Sequence, residues 1–186
     1  SGRGDVNTMT NAESLTLRKD VQGERLFCGY YINELILRML HRNDPHEMLF
    51  GAYELALEGL LRDSDVERTL RIFEKRLLQE LGYGLHLSTD ALTGAAIEPS
   101  VRYRYVAESG PVIDNGEGHM GVVLHGESLQ ALCEEQDFSA LHRRELKRLT
   151  RTVLDQRLEG RPLHSRGLFS RLFPQENEQA AFVKNS

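Results

Sequence analysis

The sequence predicts a mainly α-helical protein, a helical bundle with a small β insertion. Apolar residues recur at spacings of three and four over most of residues 24–81 and 127–173, as they do along helices with one buried face. Residues 85–125 instead concentrate turn-forming residues around a short alternating segment, 101–106. The chain has 186 residues, of which 40% are hydrophobic and 27% charged, which is enough for one well-packed domain.

Three helices are predicted before residue 85. The first covers residues 24–41, and the second begins after the start signal Asp44-Pro45 and runs to about residue 61. The third follows a capping box that opens at Ser64, because a Glu stands three positions later. Gly82 ends this helix, since it can adopt the positive φ that a helix C-terminus favours.

The other elements are shorter and more varied. The alternation of residues 101–106 predicts a strand, and helical periodicity returns at 127–134, 139–159 and 165–173. Residues 1–20 alternate loosely, as half-buried strands do. A lone hairpin is seldom stable, so these residues are expected to belong to a sheet whose other strands lie further upstream.

No catalytic or metal site is predicted. His125, Glu127 and Ser128 lie close together, but Glu127 and Ser128 are typical of a helix start. The sequence has no G-x-S-x-G elbow, Walker loop or dinucleotide fingerprint, and the glycines after Asn115 predict a hairpin turn. Seven His without a helical H-x-x-x-H pair and two Cys offer no metal site, so no cofactor is expected.

The net charge of the chain conceals a strongly basic segment near its C-terminal end. A total of -5 would disfavour a polyanionic partner. Residues 142–171, however, carry nine cations and three acids, a local charge of +6 that leaves -11 for the remainder. The cations are Arg143, Arg144, Lys147, Arg148, Arg151, Arg157, Arg161, Arg166 and Arg171.

Several of these cations share one helix face. Arg143, Lys147 and Arg151 are four residues apart, with Arg144 and Arg148 beside them, and few acids stand at positions that could pair with them within the helix. Such a stripe can follow DNA phosphates, or it can be an ordinary solvated face. No helix-turn-helix, zinc-finger or RNA-recognition signature accompanies it, so sequence-specific readout is not predicted.

The third helix offers a second candidate site. Arg71 and Lys75 share a face with Arg68, bordering apolar positions that include Phe73 and Leu78. Cations beside an apolar groove suit an acidic peptide with a hydrophobic end, although a solvated face of a bundle helix explains the same pattern. No apolar run long enough for a membrane span and no signal peptide appear in the sequence, so no membrane partner is expected.

Five blocks together resemble the bacterial RecO family of recombination mediators. They are residues 29–35, 71–78, 81–84, 103–105 and 161–166, which include the strings YINEL, LGYG and PLHSR in the family's order and spacing.

The resemblance implies a non-enzymatic protein of DNA repair and recombination in the RecF pathway, cytoplasmic and associated with the nucleoid. Such proteins bind single- and double-stranded DNA, anneal strands, contact RecR and the single-stranded DNA-binding protein (SSB), and indirectly help RecA to load. Residues 1–20 would be the remnant of an N-terminal OB-fold β-barrel, and 21–186 the helical domain. Many members carry a four-Cys zinc site in the insertion, but residues 85–125 contain no Cys, so zinc is not expected.

The resemblance also implies roles for the two candidate sites. Arg71, with Lys75 beside it, matches the position expected to hold the carboxylate of the acidic SSB tail, with Phe73 and Leu78 in the groove. The basic stripe becomes a DNA track. The alternative is a protein–protein adaptor whose basic face binds an acidic partner and has no direct role on DNA.

Overall fold

A computed structural model describes residues 22–40, 46–62, 65–117 and 120–172. In chain order these residues form three helices, three strands and three more helices: α1 (Glu24–Met39), α2 (Glu47–Arg62), α3 (Val66–Glu80), β1 (Arg102–Val106), β2 (Gly110–Ile113), β3 (Val122–His125), α4 (Gly126–Cys133), α5 (Ala140–Arg157) and α6 (His164–Leu172). The mainly helical fold with a small β insertion is therefore confirmed. The predicted OB-fold remnant and the Asp44-Pro45 start signal lie outside the described residues.

The ends of α3 show how local sequence sets a helix boundary. At its N-terminus the Asp65 carboxylate accepts a hydrogen bond from the Arg68 N–H, so Asp65 is the capping residue. The predicted box opens one residue earlier, at Ser64, which lies outside the described residues. At the C-terminus Gly82 has φ 81°, and the Tyr83 N–H donates to the Leu78 carbonyl oxygen at 2.8 Å. This is the Schellman stop that the sequence predicts.

The three strands form one antiparallel sheet in the order β2-β1-β3. β1 is central, and its alternation buries Tyr103 and Tyr105 on one face. The predicted hairpin turn after Asn115 is wrong, because that segment joins β2 to β3, which lie on opposite sides of β1. The hairpin connects β1 to β2 instead, with Glu108 at φ 69° in its turn.

A single buried carboxylate organises the insertion. Asp90 accepts backbone N–H groups from Leu92, Thr93 and Ile113, the last of which lies on β2. Burial by itself would raise its pKa, but the hydrogen bonds from Thr93 and its neighbours outweigh this effect and hold the pKa below the ordinary value. Asp90 therefore fixes the loop that precedes β1 to the edge of the sheet.

The core is continuous from the helices to the sheet. α3 packs against α1, α2 and α5, and α5 also packs against α4 and β3, so α5 joins the bundle to the insertion. Its core side carries Leu146, Leu149 and Val153, all of them buried. This packing leaves the opposite side of α5 to face solvent, and the exposed Arg144, Arg148 and Arg151 lie there. None of the described helices is both long and apolar enough to cross a membrane.

Candidate functional site

Two cations of the basic stripe hold α5 against the start of α3. Arg143 donates to the Asp65 carboxylate at 2.8 Å, and Lys147 donates to Glu67 at 2.8 Å. The Asp65 hydrogen bond raises the pKa of Arg143. The sequence indicates few acids within α5 that could pair with these two residues, and the acids that pair with them come instead from the start of α3.

The cations beyond Arg151 also have partners, with one exception. Arg157 lies 4.0 Å over the Tyr83 ring and pairs with Glu108 at 3.1 Å. The exposed Arg161 pairs with Glu159 two residues earlier. Arg166 on α6 pairs with Asp155 on α5. Arg171, near the end of α6, is exposed and has no ion pair among the described residues.

Arg144, Arg148 and Arg151 form a row on the exposed side of α5, called here the free row. All three are exposed, and none has an ion pair within the described part of the chain. Their spacings of four and three place them on one helix face over about 10 Å. The pKa of Arg151 is lowered, first by desolvation and then by the positive charges of Arg166 and Arg71. Positive charge is therefore concentrated at this end of the row, where an anion would relieve the repulsion.

Arg71 lies beneath the Arg151 end of the free row, in a buried polar cluster. Its side chain donates to the Glu74 carboxylate at 2.6 Å, and Glu74 also accepts the Tyr31 hydroxyl at 2.6 Å. Arg71 is only 4% exposed, and two of its guanidinium nitrogens, Nε and Nη1, are buried with no hydrogen-bond partner among the described residues. Arg166 lies 5.6 Å over the Tyr31 ring, and the charges of Arg71 and Arg166 both act on Arg151. The guanidinium groups of Arg71, Arg151 and Arg166 therefore lie near one another at this cluster.

The other three residues of the predicted peptide groove point elsewhere. Lys75 donates to the carbonyl oxygens of Leu132 and Cys133 at the end of α4. Phe73 and Leu78 are buried in the core, with Phe73 also lining a groove toward α2. The structure thus brings Arg71 together with Arg151 and Arg166 but does not place it in one groove with these residues. The sequence did not predict the group of Arg71, Arg151 and Arg166, because these residues lie on three separate helices and no regular spacing in the sequence connects them.

His125 and Ser128 are brought together by a third residue rather than by each other. The buried Glu145 carboxylate accepts the Ser128 hydroxyl at 2.6 Å and the His125 backbone N–H at 2.9 Å, and it lies 2.8 Å from His125 Nδ1. In a nucleophilic triad the His would stand between the hydroxyl and the carboxylate. Here the carboxylate stands in the middle, and it ties the start of α4 to α5.

No group of three or more His, Cys, Asp or Glu in the described ranges is arranged to hold a metal ion. Cys28 is buried and Cys133 is exposed, and both are free thiols.

Comparison with known proteins shows one family. The family model described as "Recombination protein O C terminal" matches residues 21–167. A "DNA repair protein RecO" of Nitrosospira multiformis is 40% identical over 168 residues, which is 90% of this chain and 69% of the relative. That of Methylococcus capsulatus is 41% identical over 169 residues, 91% and 69% of the two chains. That of Dechloromonas aromatica is 43% identical over 176 residues, 92% and 72%.

Proposed function

The chain belongs to the RecO family of DNA repair proteins, and on that premise we propose that it is a non-enzymatic recombination mediator that binds DNA phosphates through the free row. Its role in DNA repair follows from the family. The observation that carries the proposal is that Arg144, Arg148 and Arg151 are exposed and have no ion pair among the described residues. An unpaired cation can neutralise a phosphate without first breaking an internal salt bridge.

The basic residues outside the free row contribute less to DNA binding in this proposal. Arg143 and Lys147 would have to leave Asp65 and Glu67 before they could contact DNA, so their main contribution is to hold α5 in place. Arg157, Arg161, Arg166 and Arg171 extend the positive surface toward and along α6. Such a surface favours DNA of any sequence, since phosphate contacts carry no base information.

Salt dependence of DNA binding tests the free row. We expect the variant that carries Arg144→Ala and Arg148→Ala to flatten the slope of log K against log salt by roughly two units, because each lost phosphate contact removes about one released counterion. The charge-matched control carries Arg62→Ala and Arg102→Ala, which remove two exposed cations from α2 and β1.

The outcomes separate the two function classes. An equal slope for the free-row variant and the parent would refute the DNA assignment of this row. A chain that binds no DNA at low salt but captures an acidic protein through Arg144 and Arg148 would support the adaptor alternative. Loss of slope in the control variant would show a diffuse charge effect rather than a defined track.

A second part of the proposal concerns the acidic SSB tail. Arg71 supports it because two of its guanidinium nitrogens are buried without a hydrogen-bond partner among the described residues, and a carboxylate would complete them. Arg151 and Arg166 add positive charge at the same place. The carboxylate would reach the cluster beside the exposed Arg151, so the tail and DNA would meet at one end of the free row. Lys75, Phe73 and Leu78 would then support α3 rather than touch the tail.

The remaining family roles are proposals for the protein as a whole. They comprise binding of single- and double-stranded DNA, strand annealing, contact with RecR and indirect assistance to RecA loading, carried out in the cytoplasm at the nucleoid. The proposed domain organisation keeps residues 1–20 as the end of an OB-fold domain and 21–186 as the helical domain. His125, Ser128 and Glu145 are not ordered as a nucleophilic triad, and the proposal assigns them no catalytic role.

A further inference from the structure

A small cavity of about 160 Å³ lies where the segment after α3, the β1–β2 turn and the end of α5 meet. Tyr83, which follows α3, lines it and is 44% exposed. Tyr105, Glu108 and Arg157 line it as well. The volume is well below the roughly 300 Å³ of a pocket for a drug-sized ligand, so the cavity suits one small ring system.

Two residues that line the cavity carry a buried hydrogen-bond donor without an acceptor among the described residues. One donor is the Nε–H of Arg157. The other is the Tyr105 hydroxyl, which accepts the His86 N–H at 3.1 Å and still has its own O–H to donate. Burial raises the pKa of Tyr105, so the hydroxyl keeps its proton at neutral pH. A ligand with acceptor atoms would satisfy both donors.

The ring and the charges at the cavity restrict what can bind there. Arg157 lies 4.0 Å over the Tyr83 ring, so an aromatic ring and a planar guanidinium group are already stacked together. Arg157 also pairs with the exposed Glu108 at 3.1 Å, and the two charges cancel. The Glu108 carboxylate would repel a phosphate or another carboxylate, but it can accept N–H groups. The cavity therefore favours a flat, uncharged ring that carries both hydrogen-bond donors and acceptors.

We propose that this cavity binds one unpaired nucleobase of single-stranded DNA, which stacks beside Tyr83 and Arg157 and accepts hydrogen bonds from Arg157 and Tyr105. Every nucleobase has the flat face and the acceptor atoms that the cavity requires. In a duplex the bases are stacked and paired, so only an unpaired base can enter. This role rests on the proposed binding of DNA but not on the free row, because Arg157 lies six positions after Arg151, on a different face of α5.

Fluorescence anisotropy titrations of the 186-residue chain test the stacking surface. The probes are a fluorescein-labelled thymidine oligonucleotide and an abasic oligonucleotide of the same length and charge. We expect Tyr83→Leu to weaken binding of the thymidine probe about fivefold or more, because it removes the stacking of a base on an aromatic ring, and to leave binding of the abasic probe unchanged. Tyr83→Phe keeps the ring and should bind both probes as the parent does. Tyr30→Leu is the matched control, because Tyr30 is 54% exposed on α1 and does not line the cavity.

A charge-preserving variant separates a base contact from a phosphate contact at Arg157. Arg157→Lys keeps the positive charge but loses the flat guanidinium group and its Nε–H. We expect about three- to tenfold weaker binding of the thymidine probe, with an unchanged slope of log K against log salt. Undiminished affinity would show that Arg157 acts only as a charge and would overturn its role at the base.

Nuclear magnetic resonance locates the base without any variant. When the thymidine oligonucleotide is titrated into ¹⁵N-labelled protein, we expect the backbone amides of Gly84 and His86 to shift until saturation. The His86 amide is the sharper reporter, because it donates to the Tyr105 hydroxyl. Shifts confined to Arg144 and Arg148 would overturn the base site and leave the free row standing.

The affinities separate the base site from the free row once thermal melting has confirmed that each variant is folded. Equal affinities of the Tyr83→Leu and Tyr30→Leu proteins for the thymidine probe would overturn the base site alone. A loss with Tyr83→Leu, while the free-row variant keeps the salt slope of the parent, would support the base site and overturn the free row. Binding of neither probe by the parent chain would overturn both.

Discussion

Replacing Glu34 by Gln is expected to weaken the attachment of α6 to α1. One oxygen of the Glu34 carboxylate accepts the Ser165 N–H at 2.8 Å and the Ser165 hydroxyl at 2.6 Å, and the other accepts the His164 N–H at 2.9 Å. These donors are at the N-terminus of α6, where the first N–H groups have no partner within the helix. Glu34 therefore caps α6 from a residue 130 positions earlier in the chain.

The magnitude follows from the pKa of Glu34. Burial by itself raises this pKa, but the hydrogen bonds from Ser165 and His164 lower it from 4.5 to about 2. The side chain is 16% exposed, so solvent screens these bonds only partly. At about 1.36 kcal/mol per pKa unit, the charged carboxylate contributes roughly 2 to 3 kcal/mol to the free energy of unfolding. Because the folded-state pKa is depressed, this contribution is complete above about pH 5 and is lost as the pH falls toward 2.

Urea denaturation at pH 7 and pH 3, followed by circular dichroism, measures this effect. We expect Glu34→Gln to lower the free energy of unfolding by roughly 2 to 3 kcal/mol at pH 7, and the difference from the parent to fall to about half at pH 3. Hydrogen exchange of the α6 amides should accelerate in the same variant. Glu54→Gln is the control, since Glu54 is exposed on α2. Equal losses for the two variants, or a difference that does not change with pH, would refute the reasoning.

Two further predictions concern Arg71 and Gly126. Arg71→Ala should weaken binding of an SSB tail peptide by about 1.5 to 3 kcal/mol in a calorimetric titration, and Arg151→Ala, at an exposed position, should cause a smaller loss. Thermal melting checks that each variant is folded. Identical affinity in a folded Arg71 variant would contradict the assignment. Gly126→Ala would place a Cβ 2.0 Å from the Glu98 carbonyl oxygen, whereas at Gly29 in α1 nothing lies within 4 Å. In urea titrations we expect Gly126→Ala to lower the free energy of unfolding by about 3 kcal/mol or more, and Gly29→Ala to raise it by about 0.5 to 1 kcal/mol. Similar stability of the two variants would rule out the close approach at Gly126.

Most of the helices could be predicted because the signals that define them are local, whereas α6 is capped by the distant Glu34. The apolar period of α3 and its Schellman stop at Gly82 both lie within a few residues of the helix they define. The sheet was harder to predict. The alternation of β1 identified a strand, but the order β2-β1-β3 depends on pairing between strands, which the turn residues after Asn115 do not encode.

The candidate sites divide in the same way. The sequence identified the basic character of α5, because spacings of three and four suffice to place cations on one face. It did not show that Asp65 and Glu67 neutralise Arg143 and Lys147, nor that Arg71 is buried beside Tyr31 and Arg166.

The sequence by itself thus determined the helical class, the approximate positions of the helices, the family and the concentration of positive charge near the C-terminal end of the chain. These depend on periodicity, caps and composition, which act over a few residues. Only the tertiary structure decided which cations remain available for a partner. Whether a charge is paired depends on which side chains the packing of α3, α5 and α6 brings within about 3 Å, and residues distant in sequence meet there only after the chain has folded.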